Sequence, residues 1–173
     1  GNAYINMGTQ NTSETSKTSA QDFNQGLSVN GTINKVSYMT TLNSTETKGM
    51  SEAAGEDFEE DTFSRVNVLQ KIGFKANDKL SFEFFGNYDR IKNTFDNSFD
   101  GFIANSDDLN NNSFSEQFRI GFLPKYKYNK GEFAINAGAL TIDRILNISN
   151  SWSGTIDNYN YSGRSASIDA FNK

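Results

Sequence analysis

Hydrophobic and polar residues alternate along this chain with a period of two. In residues 64–74, Val66, Val68, Ile72 and Phe74 share one parity, with Gln70 as the exception. Arg65, Asn67, Lys71 and Gly73 share the other, with Leu69 as the exception. This is the pattern of a strand with one apolar and one polar face. It returns in Leu80, Phe82, Phe84, Gly86 and Tyr88, and again in Phe118, Ile120, Phe122, Pro124, Tyr126 and Tyr128. Phe133, Ile135, Ala137, Ala139 and Thr141 repeat it, as do Val36, Tyr38, Thr40 and Leu42. Weaker segments at 3–12, 23–30 and 159–171 bring the expected strands to eight.

The connections alternate in length. Short turns rich in Asn, Gly, Asp and Lys are predicted at 30–35, 77–79 and 129–131, residue types that tolerate positive φ or bond locally. Longer connections are predicted at 13–20, 47–61, 94–112 and 147–158. Every short turn then falls at one end of the strands and every long connection at the other. An outer-membrane barrel has this asymmetry, with short periplasmic turns and long extracellular loops. The first strand would run upward from a periplasmic N-terminus.

The apolar parity carries no Lys, Arg, Asp or Glu through the middle of the four clearest strands; Arg90 and Glu116 lie near the loop end. A Lys or Arg facing lipid costs about 2–4 kcal/mol at mid-bilayer and little at the interface. Phe74, Phe82, Tyr126, Tyr128 and Phe133 gather at the turn end, and Tyr88 and Phe118 near the loop end, as two aromatic girdles would. The expected fold is all-β, an antiparallel transmembrane barrel of about eight meander strands. The rival is a soluble β-sandwich with one buried face per strand, which explains the alternation but neither the loop asymmetry nor the girdles.

Composition sharpens this. Hydrophobic residues make up 35% of the 173 residues, aromatics reach 13%, and 23 residues are Asn. A mean hydropathy of -0.63 suggests a disordered chain, yet disordered chains are poor in aromatics. Sorting by parity resolves the conflict: one face is apolar, the other polar. There is no Cys and no His, which excludes disulfides, zinc sites of the usual kind, thiol nucleophiles and His-based triads. We therefore expect no enzyme. A net charge of -5 without a basic stripe argues against nucleic acid as a partner. No apolar run has the length of a membrane-spanning helix. No segment reads as a signal peptide, so we expect any export signal to have been removed.

The polar parity offers Arg65, Lys71, Glu83, Asp89, Arg119 and Lys125 for pairing. Eight strands can close a small barrel filled by such side chains. Residues 1–4 begin as if within a strand and residues 170–173 end without a stop, so residues 1–173 are expected to be part of a larger barrel.

Two stretches carry a family resemblance: Lys48-Gly49-Met50-Ser51-Glu52-Ala53-Ala54 and Phe58-Glu59-Glu60-Asp61-Thr62-Phe63. Further on come Phe84-Phe85-Gly86-Asn87-Tyr88-Asp89, Phe95-Asp96-Asn97-Ser98-Phe99-Asp100 and Thr141-Ile142-Asp143-Arg144. Together they resemble the early barrel strands of TonB-dependent outer-membrane receptors, most of all the vitamin B12 (cobalamin) receptor subfamily of Gram-negative bacteria. Siderophore and other TonB-dependent receptors share this strand grammar. The resemblance implies a barrel of about 22 strands, occluded by an N-terminal plug that carries the TonB box. It also implies substrate binding at extracellular loops and the plug apex, with uptake driven through the TonB complex. This sequence contains neither plug nor TonB box. It would supply the N-terminal part of the barrel, seated in outer-membrane lipid. The resemblance also brings in a surface-exposed substrate-binding lipoprotein as a candidate partner. A standalone eight-stranded barrel with a structural or adhesive role stays open.

The long connections supply the candidate sites. Asp57, Asp96, Asp100, Asp107 and Asp108 are candidate calcium ligands, because calcium takes six to eight oxygens and some cobalamin receptors order these loops with calcium. Solvated acidic surface is the plainer reading. Trp152, Phe99, Phe102 and Tyr159 are candidate substrate contacts, as ligand pockets are lined by aromatics with a few polar groups.

Overall fold

The computed structural model describes residues 1–9, 21–48, 61–96, 110–150 and 153–173. They form eight strands: β1 (Asn2–Gly8), β2 (Asp22–Ile33), β3 (Val36–Lys48), β4 (Thr62–Lys75), β5 (Leu80–Thr94), β6 (Asn112–Tyr128), β7 (Gly131–Asn150) and β8 (Thr155–Asn172). All eight lie in one antiparallel sheet whose spatial order is the sequence order, β1 to β8. It is a pure meander, and the sheet is not closed: β1 pairs only with β2, and β8 only with β7.

The short turns follow from local chemistry. Asn34 takes a left-handed conformation at φ 54° in the two-residue link from β2 to β3, which Asn tolerates better than most residues. In the next turn the Asn77 carboxamide oxygen accepts from the backbone N–H of Lys79 and of Leu80, both at 2.9 Å. That local bond is the mechanism by which Asn makes turns. Lys75 adds an ion pair to Asp78 at 2.8 Å. Asn129 and Lys130 join β6 to β7.

One predicted connection is corrected. Residues 147–158 were expected to form a long loop, but β7 continues to Asn150 and β8 starts at Thr155. An amide ladder extends the pairing. Asn160 donates to Asn158 (2.8 Å), Asn158 to Asn147 (2.5 Å) and Asn147 to Asn112 (2.9 Å). Such pairing needs no apolar alternation, so periodicity does not reveal it. Gly154, at φ 66°, donates its N–H to the Asn150 carbonyl at 2.9 Å and closes the turn. The strand ends that flank the other long connections, 9–21, 49–61 and 95–111, lie at the same end of the sheet, as expected.

Burial is unlike that of a two-layer domain. Among the described residues the buried polar side chains are Gln21, Asp89, Asp96, Asn111 and Ser113. The one other buried residue among them is Gly121, so no apolar side chain there is buried. A sandwich hides an apolar face about 10 Å from a second sheet. The described residues contain no second sheet to hide it.

Candidate functional site

Cross-strand partners share a face, so the register assigns every strand position to one of two faces. The first is apolar. It runs without charge from Val66 to Phe74 in β4, Leu80 to Tyr88 in β5, Phe118 to Tyr128 in β6 and Phe133 to Thr141 in β7. The next position toward the long connections is Arg90 in β5, Glu116 in β6 and Asp143 in β7, direct neighbours in one row. Lys92 stands beyond them, and β8 contributes Arg164 opposite Thr141. The exposed large hydrophobic side chains lie on this face except Tyr4, Met39, Ile142, Tyr159, Tyr161 and Phe171.

Aromatics mark the borders of this band. Toward the turns, Phe74 and Phe82 stack at 6.5 Å between centroids, Phe82 and Phe122 at 6.0 Å, and Phe84 and Phe122 at 4.5 Å. The Tyr128 hydroxyl donates to Asn172 at 2.6 Å. At the opposite border the Tyr88 hydroxyl donates to Glu116 at 2.6 Å. Arg90 and Lys92 lie over the Phe114 ring at 5.4 and 5.5 Å. Tyr88 and Tyr128 thus keep their rings with the apolar band and give their hydroxyls to polar partners. Gln70, the exception in the sequence pattern, is satisfied inside the band: Thr40 donates to its carboxamide oxygen at 2.6 Å.

The second face is polar and paired. Arg65 donates through Nε to Asp89 Oδ1 (2.8 Å) and through its terminal nitrogen to Oδ2 (2.6 Å). Lys71 reaches Glu83 at 3.7 Å. The expected pairing on this parity is therefore found for these four residues. Glycines of this face sit under aromatic rings: Phe85 covers Gly121, and Tyr4 covers Gly26 while its hydroxyl bonds Asn43 at 3.2 Å. The strand pairing runs through both glycines without a break. At the turn end, Lys35, Lys75, Lys79, Lys125 and Lys127 ring an open hollow of about 340 Å³.

The candidate residues fare unequally. Tyr159, expected in a loop, belongs to β8 on the polar face, opposite Leu146. Asp96 follows β5 and is buried with an interaction partner. Asp57, Asp100, Asp107, Asp108, Phe99, Phe102 and Trp152 lie outside the described residues. Among the described residues no three His, Cys, Asp or Glu come together as a metal-ligating group. Sequence reasoning missed a hollow of about 370 Å³ lined by Ile142, Arg144, Leu146, Tyr161 and Gly163. The available signal was the run Leu140, Ile142, Leu146 and Ile148, apolar on the parity that is polar elsewhere.

The chain matches no family model, no curated protein and no solved structure.

Proposed function

We propose that this chain supplies eight membrane-spanning strands of an outer-membrane β-barrel that imports a cobalamin-like corrinoid by TonB-dependent transport. The uncharged band on the apolar face carries the membrane part of this reading. The last pair before the β2–β3 turn is Ile33 with Val36, and before the β6–β7 turn Tyr128 with Gly131. Following the register, these pairs are two rows apart across four strand spacings. That is about 14 Å along the strands over about 19 Å across them. If the turns lie in one membrane plane, the strands tilt by about 35°, within the range of outer-membrane barrels. The stretch from Leu80 to Tyr88 in β5 spans about 27 Å of strand and, with that tilt, about 22 Å of depth. The apolar band of such barrels is about 25 Å tall.

The open sheet supports the larger barrel. In lipid every backbone N–H and C=O must be paired, and the outer edges of β1 and β8 are not paired with each other. A self-contained eight-stranded barrel needs that pairing. The reading gives those edges to further strands of the same protein, with the connections 9–21, 49–61 and 95–111 facing outward.

The importer part rests on the resemblance of residues 48–54, 58–63, 84–89, 95–100 and 141–144 to cobalamin receptors. Calcium on Asp57, Asp96, Asp100, Asp107 and Asp108, a plug engaging TonB and a surface lipoprotein belong to the same proposal. Outer membranes from cells expressing the intact protein test it by binding of labelled cyanocobalamin in competition with ferric siderophores. Saturable cyanocobalamin binding that excess ferric siderophore leaves intact is the expected result. Binding of siderophore alone moves the assignment to a siderophore receptor.

A further inference from the structure

The hollow in the loop-end half of β7 and β8 departs from the polar face around it. Ile142, Leu146 and Tyr161 present apolar and aromatic surface there, with Tyr161 54% exposed; Tyr159, opposite Leu146 on the same face, stands beside it. Elsewhere this face carries ion pairs and amides. Gly163 stands directly opposite Ile142, and a Cβ on it would come within 3.0 Å of the Ile142 side chain. The missing side chain keeps the hollow open. Arg144 lies in its wall, directly opposite Tyr161. Among the described residues no carboxylate forms a salt bridge with it, although Arg65 on the same face is fully paired.

We propose that this hollow binds a small organic anion with a flat or apolar body, its carboxylate or phosphate on Arg144 and its body against Tyr161, Ile142 and Leu146. The chemistry is specific at each end. A guanidinium presents two parallel N–H donors that match a carboxylate or phosphate. An exposed guanidinium with no acid beside it is free to take an external anion. Tyrosine rings give a flat ligand large contact area at low conformational entropy. The volume, about 370 Å³, falls at the lower end of ligand pockets, so the occupant is one or two rings rather than a macrocycle. The proposal goes beyond the import reading: it names the charge and shape of a second, smaller ligand at the outward end of the polar face.

The test uses the detergent-solubilised intact protein with two probes of equal shape, 2-naphthoate and the neutral 2-naphthylmethanol, by isothermal titration. Naphthoate is expected to bind at least tenfold more tightly than the alcohol. Arg144→Gln is expected to abolish that preference and leave the alcohol unchanged, while Gly163→Val weakens both probes. Unaltered heat-modifiable gel mobility identifies folded variants. Equal binding of the two probes, no binding of either, or an Arg144→Gln variant that keeps the preference overturns the proposal. The outcome is separable from the membrane reading: naphthoate binding by a protein whose apolar face proves water-exposed keeps the hollow and removes the barrel.

Discussion

Phe85 and Gly121 face each other across β5 and β6, and the ring occupies the space a Cβ at Gly121 would need. The glycine gains cover for its backbone and the ring gains a flat seat, so the two residues should be energetically coupled. A double-mutant cycle of Phe85→Ala and Gly121→Ala, read by urea unfolding, is expected to give a coupling of about 0.5–1 kcal/mol. Additive effects would show that the contact carries no energy. Arg65 and Asp89 are coupled through two charge-assisted hydrogen bonds. Asp89 is nearly enclosed, but the Arg65 side chain is 48% exposed, which screens the pair. Asp89→Asn is expected to lower stability by about 1 kcal/mol, with the loss shrinking at high salt. In the β4–β5 turn the hydrogen bond from Lys75 holds the Asp78 carboxyl below the usual carboxylate range. A lowered folded-state pKa means the pair stabilises above the ordinary carboxylate pKa and loses that contribution as pH falls through the folded value. A carbon-detected NMR titration of Asp78 should therefore give a midpoint below the usual aspartate value, and Lys75→Met should raise it toward that value, with Lys35 still lowering it.

The strands show what local pattern conveys. Wherever the two faces differ in polarity, as in 64–74, 80–88 and 118–128, alternation alone places a strand and its apolar side. The tight turns were legible for the same local reason: Asn34 and Asn77 act within two or three residues of themselves. The upper parts of β7 and β8 were not legible. Their pairing depends on Asn112, Asn147, Asn158 and Asn160 meeting across three strands, and a single strand carries no record of that meeting. The same blindness put Tyr159 in a loop and hid the hollow around Arg144, since neither can be seen before β7 and β8 are in register. The glycine seats under Phe85 and Tyr4 are also cross-strand facts. If the amide ladder holds the β7–β8 extension, Asn147→Ala removes two hydrogen bonds of roughly 1 kcal/mol each. Hydrogen exchange should then quicken at residues 145–160 and stay unchanged in β4 and β5. Uniform protection in the variant would mean that the backbone ladder alone suffices.

For the molecule as a whole, the decisive arrangement is one layer of eight strands whose apolar side chains all stay accessible. A monomer in water rarely exposes so large an apolar face; in the proposed bilayer placement that face meets lipid. The depth of each position then sets its tolerance for charge. Phe122, near the middle of the β6 stretch, is expected to resist Lys, with Phe122→Lys lowering stability in lipid by about 2–4 kcal/mol. Ser64→Lys, level with Lys92 beyond the band, is expected to change it by about 0–1 kcal/mol. The comparison is made by unfolding in phospholipid vesicles, and equal penalties at the two depths would contradict the proposed bilayer placement. The most direct measurement exploits the absence of cysteine from the chain. Single cysteines carrying nitroxide labels at 117 to 123 in β6 are scanned in membranes for collision with oxygen and with a water-soluble nickel chelate. A lipid-facing band predicts high oxygen and low nickel accessibility at 118, 120 and 122, with the reverse at 117, 119, 121 and 123. Low accessibility to both reagents at 118, 120 and 122, as in a packed protein core, or nickel access at all seven positions, would contradict it.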